Sequence, residues 1–267
     1  MTIITLTSDF GLADGYVGIM KGVILHIAPQ VRLVDLSHDV ARQNVRQAAY
    51  VLSQAAPYFE PGTVHLAVVD PGVGTERRPL LVRTPQATFV GPDNGLFTAF
   101  LGGPGVEVFT LNRSAYWLPS VSSTFHGRDI FAPVAAHAAQ GTAAEEMGGQ
   151  IDDPVRLAWQ GPERRSGGPI TGQIVYVDRF GNLITNVPAD WLAGDEWQCQ
   201  IAGHLVPHLS AAYASVEYGA LCALVSSGDT LEIAVREGDA AARLGARPGD
   251  PVTLYRQESD TSPLPDL

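Results

Sequence analysis

The chain contains 267 residues with a formal net charge of −11, and 45% of its residues are hydrophobic. These values fit a globular protein with one large domain or two modest ones. The acidic balance argues against nucleic acids and anionic membrane surfaces as partners, because both require basic patches. The two cysteines, Cys199 and Cys222, have no metal-ligand spacing and make no disulfide framework, and no segment approaches the length of a membrane span. We therefore expect a cytoplasmic protein.

The first half of the chain alternates strand-like and helix-like hydrophobic patterns. This alternation predicts βαβ units and therefore an α/β domain with a mainly parallel sheet. Strands are predicted at 1–8, 31–36, 64–69, 80–84 and 87–90, and helices at 16–28, 42–56, 94–101 and 130–140.

A change in composition marks a domain boundary. The stretch 151–171 is rich in the glycine, proline and aspartate residues typical of turns and linkers. We assign 1–160 to an amino-terminal α/β domain and 169–256 to a smaller, β-rich and mostly antiparallel domain. Strands of this second domain are predicted at 172–178, 196–201, 222–225, 230–235 and 251–255, and the polar end, 257–267, is predicted to be disordered.

Two apolar strands of the first domain end on an aspartate in a glycine turn. Asp9 follows the strand at 1–8, and Asp70 follows the strand at 64–69. Ligands of open α/β sheets bind outside the carboxyl ends of the strands, so both acids are candidates for a site. The glycines after Asp70 allow close approach of the backbone to a ligand, although the same turn fits a structural cap. Arg77 is near enough to pair with Asp70 and keep it an anion, whereas Arg77 and Arg78 also fit a solvated surface pair.

Histidines supply the remaining candidates in the first half. His126 lies in a loop that opens a helix. A lone histidine is more often structural, but the glycine beside it and the helix amino terminus behind it shift the balance toward a site. His38 is a second candidate and fits a turn histidine better. The sequence has no phosphate loop, no Gly-x-Gly-x-x-Gly fingerprint and no His-x-x-x-His pattern, so neither nucleoside triphosphate chemistry nor a zinc site is supported. We predict no metal.

Two turns of the second domain carry polar groups. Asp178, Phe180 and Asn182 surround one turn, which suits a base edge and an amine but equally fits a hairpin turn. Ser226 and Ser227, followed by a glycine, offer hydroxyl and amide groups to a carboxylate. Each signal is weak by itself.

Together, these motifs occur in an order that closely resembles the S-adenosyl-L-methionine hydroxide adenosyltransferase family, the hydrolytic relatives of the 5′-halogenases. The motifs are Ser-Asp-Phe-Gly at 8–11, Asp-Gly-Tyr-Val-Gly at 14–18, Asp-Leu-Ser-His at 35–38, Val-Asp-Pro-Gly-Val-Gly-Thr-Glu-Arg-Arg at 69–78, Gly-Pro-Asp-Asn-Gly-Leu at 91–96, Phe-His-Gly-Arg-Asp at 125–129 and Asp-Arg-Phe-Gly-Asn-Leu-Ile-Thr-Asn at 178–186. The resemblance spans residues 3–255. It implies an α/β domain followed by a β-rich domain, and homotrimers with each site between the large domain of one subunit and the small domain of its neighbour.

The resemblance also implies roles for individual residues. The catalytic set falls on Asp70, Arg77 and His126. The predicted substrate-binding residues are Asp9 for the ribose hydroxyls, Asp14 and Asp178 near the methionine amine, Phe180 and Asn182 around the adenine, Tyr213 as a stacking aromatic, and Phe125, Gly127, Ser226 and Ser227. Ser227 stands where the halogenases have an arginine for the substrate carboxylate, and Arg236 and Asp239 stand where relatives tend to carry asparagine.

The implied reaction is attack of water or hydroxide on C5′ of S-adenosylmethionine, which is the substrate, so no cofactor is expected. In this hypothesis Asp70 and a neutral His126 accept hydrogen bonds from the water while Arg77 holds the acid. Three alternatives remain: a 5′-halogenase, which the intact acid, arginine and histidine set and the compact 80–90 stretch disfavour; a non-catalytic sensor of S-adenosylmethionine or adenosine; and a metal phosphohydrolase.

Overall fold

A computed structural model describes residues 2–165, 168–194 and 196–257. Contacts divide the chain between Ala158 and Trp159 into two units, which we call the amino-terminal and carboxyl-terminal units. The chain end, which the sequence predicts to be disordered, lies outside the described residues beyond Gln257. Within the described ranges, no helix combines the length and apolar character needed to cross a membrane.

The described part of the amino-terminal unit contains a seven-stranded sheet of order β2-β1-β3-β5-β4-β6-β7. Its strands are β1 (Ile3–Ser8), β2 (Arg32–Ser37), β3 (Thr63–Val68), β4 (Pro79–Arg83), β5 (Ala87–Pro92), β6 (Glu107–Thr110) and β7 (Gly149–Ile151). Strands β2, β1, β3 and β5 are parallel, whereas β4, β6 and β7 are added antiparallel. The expectation of a mainly parallel sheet is therefore right for only half of the sheet. The short connection between β4 and β5 permits only an antiparallel pair, because a parallel pair needs a long crossover.

Helices cover both faces of this sheet. They are α1 (Tyr16–Ile27), α2 (Val45–Ala55), α3 (Ala132–Ala139) and α4 (Ala144–Met147), and a π-helical turn, Gly127–Phe131, leads directly into α3. Met20 of α1 and Val134 of α3 are buried in one hydrophobic cluster, whereas Leu52 of α2 is buried in another. The helix predicted at 94–101 is only a 3₁₀ turn at Thr98–Phe100, because Gly95 adopts φ +92°, outside the helical region.

Strands β1 and β3 are neighbours, and the chain leaves them in opposite directions: from β1 it passes through α1 to β2 on one side, and from β3 it passes to β4 and β5 on the other. In an open α/β sheet, this reversal creates a crevice at the carboxyl ends of the two strands. Ser8 is paired with Val68, so Asp9 and Asp70 come directly after adjacent strand ends.

The described part of the carboxyl-terminal unit is β-rich and its strand pairs are antiparallel, in agreement with the sequence prediction. Its strands are β8 (Glu163–Arg164), β9 (Ile170–Val177), β10 (Leu183–Pro188), β11 (Trp197–Ile201), β12 (His204–Val206), β13 (Leu221–Val225), β14 (Thr230–Val235) and β15 (Pro251–Arg256), with one short helix, α5 (Ala240–Leu244). The order is β12-β11-β15-β9-β10-β14-β13, with β8 paired to β9. A bridge between Leu209 and Ala223 connects the segment after β12 to β13, so the sheet nearly closes on itself.

Candidate active site

A cavity of about 260 Å³ lies at the carboxyl ends of β1 and β3. Its lining residues are Asp9, Phe10, Arg42, Gln43, Val68, Asp70, Val73, Thr124, Phe125, His126 and Gly127. Five of the residues singled out in the sequence, Asp9, Asp70, Phe125, His126 and Gly127, therefore meet in one place. Asp14 does not line this cavity and is exposed in the turn before α1.

Asp70 and Arg77 form a buried ion pair beside the cavity. Arg77 Nε lies 3.0 Å from each carboxylate oxygen of Asp70, and Arg77 Nη2 also donates to Oδ2. Only 6% of the Asp70 side chain and 9% of the Arg77 side chain are exposed. The pairing expected from the sequence is present, and bidentate pairing of this kind fixes both groups in position.

The neighbouring Arg78 is not a solvated surface residue. It binds Asp93 at 2.7 Å and Asp153 at 2.7 Å, and Asp93 also accepts the backbone N–H of Val155. Arg78 therefore secures the segment that follows β7.

His126 completes the cluster through Arg77. The Arg77 Nη2 group donates to His126 Nδ1 over 2.7 Å. A guanidinium group only donates, so Nδ1 is the accepting nitrogen and the proton of the neutral ring is on Nε2. This tautomer corrects the expectation that His126 accepts a hydrogen bond from the attacking water, because its accepting nitrogen is already occupied.

Burial and the charge of Arg77 lower the pKa of His126, while the charges of Asp70 and Asp129 and a backbone hydrogen bond with Ser122 raise it by less. The imidazole is therefore mostly neutral at neutral pH. A neutral ring can accept from Arg77, whereas an imidazolium would place two cationic groups in contact.

The loop before His126 is held from within its own motif. Asp129 is fully buried and its Oδ2 accepts the backbone N–H of Ser122 at 2.8 Å, while the Arg128 side chain pairs with the same carboxylate. Ser122 Oγ in turn accepts the N–H of Phe125 at 3.1 Å. The π-helical turn that follows is a geometry often found at functional sites.

A glycine allows the Asp70 and His126 loops to meet. Gly74 has φ +77°, and a Cβ placed there would lie 2.3 Å from the carbonyl oxygen of Ser123. The lack of a side chain at Gly74 thus allows two protein loops to contact each other. The sequence had suggested instead that it allows the backbone to approach a ligand.

Asp9 faces a loop that belongs to the helix predicted from the hydrophobic pattern at 42–56. Its Oδ2 accepts the backbone N–H of Gln43 at 2.7 Å, and Gln43 has φ +62°. Arg42 and Gln43 line the cavity because α2 begins only at Val45. The missed signal is Asn44, whose side chain accepts the N–H of Gln47 and caps the helix.

Aromatic rings and a second glycine complete the cavity wall. The ring of Phe125 lies edge-on to those of Phe10 and Tyr16, with centroids 5.8 and 5.1 Å apart. A Cβ at Gly127 would lie 3.0 Å from Met20 Sδ and 3.2 Å from the Phe125 ring. Gly127 therefore keeps space between the wall and α1.

In the carboxyl-terminal unit, the predicted turn is a hairpin between β9 and β10. Asp178 accepts the N–H groups of Phe180 and Asn182 at 2.8 and 2.9 Å, and the Asn182 amide donates to Asp178 Oδ2 at 3.0 Å. These contacts fit the hairpin alternative, and they direct the Asn182 side chain toward its own turn. Phe180, by contrast, is 75% exposed.

Sequence reasoning missed Glu232, which lies buried on β14 beside Tyr213. The Tyr213 hydroxyl donates to Glu232 Oε1 at 2.5 Å. Burial and the charge of Asp178 raise the pKa of Glu232, although the hydrogen bond from Tyr213 lowers it, and burial together with Glu232 raises the pKa of Tyr213. Position 232 is inconspicuous in the sequence because it is a single acid in a mostly apolar strand.

Other residues singled out in this unit have local partners. Ser226 is buried and lies 3.3 Å from the Thr230 hydroxyl, whereas Ser227 is exposed. Arg236 donates to the Val216 carbonyl, and Asp239 caps α5 by accepting the N–H of Ala242. Within the described ranges, no group of three or more His, Cys, Asp or Glu side chains is arranged to hold a metal ion.

The electrostatics of His126 give a direct test. In a histidine NMR titration we expect the midpoint of His126 to lie below 6.5, and to rise in Arg77→Met because a cation that lowers the pKa is removed. In the unsubstituted protein, activity should fall as the pH drops through this midpoint, because an imidazolium cannot accept from Arg77. His137 is the internal control, because burial alone lowers its pKa. An unchanged His126 midpoint would contradict the Arg77 contact.

Two family models match the chain. The S-adenosylmethionine hydroxide adenosyltransferase N-terminal domain matches residues 4–148, and the C-terminal domain of the same family matches residues 172–253. These matches cover most of both units.

Individual proteins give the same result. The chain is 42% identical over 256 residues to the (R)-S-adenosyl-L-methionine hydrolase of Thermus thermophilus, covering 92% of this chain and 97% of that protein. It is 30% identical over 228 residues to a fluorinase of Actinoplanes sp., covering 74% and 76%. A solved structure of an uncharacterized conserved protein from Thermotoga maritima has a TM-score of 0.88 at 35% identity, covering 96% of this chain and 100% of that one.

Proposed function

We propose that this chain, which belongs to the S-adenosylmethionine hydroxide adenosyltransferase family, hydrolyses S-adenosyl-L-methionine to adenosine and L-methionine. The relative of 42% identity is named for this hydrolysis, and the fluorinase relative is less similar. The observation that carries the proposal is the cluster of Asp70, Arg77 and His126 at the cavity, because Arg77 holds there a carboxylate that can accept the proton of a water molecule.

In this reaction the oxygen of water forms a bond to C5′ of the ribose while the C5′–sulfur bond breaks. The sulfonium sulfur takes the electron pair of that bond and leaves as neutral L-methionine, and water loses one proton. A sulfonium needs no protonation to leave, so the protein's task is to orient the water and accept its proton.

The geometry divides these tasks within the cluster. Asp70 remains the proton acceptor, because a carboxylate has about four lone-pair sites and keeps capacity after pairing with Arg77. His126 accepts from Arg77 through Nδ1 and thereby orients the guanidinium, while the proton of the ring is on Nε2. Arg77 holds the Asp70 carboxylate in position through its N–H groups.

The same cluster favours water over halide as the nucleophile. A halide has no proton to give, so a carboxylate acceptor has no task in halide transfer and would repel the incoming anion. A sensor that binds S-adenosylmethionine without hydrolysing it is the remaining alternative. Formation of adenosine and L-methionine distinguishes an enzyme from such a sensor.

We further propose that the substrate site is completed by a second subunit in a homotrimer, with no nucleic acid or membrane partner. Asp9 and Asp70 belong to the amino-terminal unit, whereas the predicted adenine-side residues Phe180 and Tyr213 belong to the carboxyl-terminal unit. Phe180 and Tyr213 are 75% and 44% exposed, so both have surface available for a ligand. Cytoplasmic location remains a prediction, supported by two buried free cysteines.

Incubation with S-adenosylmethionine in oxygen-18 water tests the function. We expect adenosine labelled at the 5′-oxygen and one equivalent of L-methionine, with the same yield when a chelator is present. Asp39→Asn is the matched control for acid substitutions, because Asp39 is exposed and does not line the cavity. Free adenine, a halogenated nucleoside in added halide, loss of activity with chelator, or binding without product would each contradict the proposal and identify its rival.

A further inference from the structure

His38, at the end of β2, holds both ends of the turn that carries Asp9. His38 Nδ1 lies 2.7 Å from Ser8 Oγ, and the His38 carbonyl oxygen accepts the N–H of Gly11 at 2.8 Å. Ser8 Oγ also accepts the N–H of Phe10 at 3.3 Å. The side chain and the backbone of one residue therefore fix the segment on either side of Asp9.

A charge pair lies against the other side of the His38 ring. His38 Nε2 lies 3.1 Å from Asp35 Oδ1, in a contact that is not a well-aligned hydrogen bond, and Lys21 Nζ lies 2.6 Å from Asp35 Oδ2. Burial raises the pKa of Asp35, but the contacts with Lys21 and His38 lower it by more, so Asp35 is an anion. A register shift between Leu6 and Thr7 places these side chains, because β1 pairs with Asp35 and then with Ser37.

Neither nucleophilic chemistry nor stability explains this arrangement well. Ser8 contacts His38, and His38 contacts Asp35, so the three residues have the composition of a hydrolytic triad. Ser8, however, is fully buried and does not line the cavity. The Lys21 and Asp35 side chains are 30% and 39% exposed, and ion pairs with such exposure add little to stability. Their effect falls on the ring of His38, which is only 2% exposed.

We propose that Lys21, Asp35 and His38 are positioning residues that orient the Asp9 carboxylate toward the ribose hydroxyls of the substrate. This inference rests on the proposed function, in which Asp9 binds the ribose. Asp9 is held from the opposite side by the N–H of Gln43, so the turn between Ser8 and Gly11 sets where its other oxygen points.

The test compares the binding of adenosine and 2′,3′-dideoxyadenosine by calorimetry, in the full-length protein. We expect the unsubstituted protein to prefer adenosine. Asp35→Ala and His38→Ala should weaken adenosine binding roughly tenfold, the factor that one lost hydrogen bond gives. Binding of the dideoxy compound should stay within about twofold. Asp39→Ala is the matched control, since Asp39 is an exposed acid next to His38 that does not line the cavity.

A double-mutant cycle with Asp9→Ala sharpens the test. If Asp35 and His38 act through Asp9, their substitution should change adenosine binding little in the Asp9→Ala background. Equal losses for both nucleosides, or full additivity, would overturn the proposal and leave a structural role only. If His38→Ala does not fold, Asp35→Ala and Lys21→Met carry the same comparison at partly exposed positions. An unsubstituted protein without preference for adenosine would instead refute the ribose contact of Asp9, while the labelled-water result tests hydrolysis separately.

Discussion

Asp70→Asn is expected to lower kcat for S-adenosylmethionine hydrolysis by a factor on the order of 10² to 10⁴, the usual contribution of a positioned proton acceptor. The amide has nearly the size of the carboxylate, so the cavity keeps its shape. It cannot take a proton from water, however, and its NH₂ group faces the donor groups of Arg77. KM should change much less than kcat, because the lost interaction is strongest in the transition state.

Single-turnover formation of adenosine, followed by chromatography, measures this loss without interference from product release. Asp39→Asn carries the same charge change at an exposed position and should leave kcat within about twofold of the unsubstituted protein. Thermal unfolding of Asp70→Asn checks that the fold is retained. A folded variant with near-normal kcat would exclude Asp70 as the proton acceptor.

The positions of Asp9 and Asp70 at the cavity are predictable from the sequence because strand ends are easy to locate. A buried apolar run followed by Asp and Gly predicts where a parallel strand stops, and β1 and β3 both stop this way. Strand order was not needed to expect that Asp9 and Asp70 share an edge of the sheet. The direction of each hydrogen bond was not predictable, and so the tautomer of His126 required the position of the Arg77 guanidinium.

Other errors came from features that act over a few residues. Because Asn44 caps α2, the helix begins at Val45, and Arg42 and Gln43 lie in the cavity wall before it. This capping signal is visible in the sequence. The β4–β5 hairpin begins the antiparallel part of the sheet, because a close turn overrides the general βαβ pattern. The contacts of Asp178 and Asn182 within their own hairpin fit the alternative that spacing alone leaves open, and their substrate-binding roles stay predictions.

Substitution of Asp9 is expected to affect mainly substrate binding, whereas substitution of Asp70 is expected to affect mainly kcat. Asp9→Ala is expected to weaken adenosine binding roughly 10- to 150-fold, because charge-assisted hydrogen bonds to ribose hydroxyls contribute about 1.5–3 kcal/mol. Once substrate is saturating, kcat should fall far less than in Asp70→Asn, since the ribose contact is made in the ground state as well as in the transition state.

Asp9→Asn separates the charge of this side chain from its structural contact. The amide oxygen can still accept the N–H of Gln43, so the left-handed turn at Gln43 keeps its partner while the negative charge is lost. We expect an affinity between those of the unsubstituted protein and Asp9→Ala, measured by calorimetry with adenosine. If Asp9→Asn and Asp9→Ala bind adenosine equally weakly, the negative charge of Asp9 accounts for the affinity. If Asp9→Asn binds adenosine normally, the hydrogen bond with Gln43 accounts for it. Equal losses in kcat and affinity for Asp9→Ala and Asp70→Asn would contradict the division between a binding acid and a proton-accepting acid.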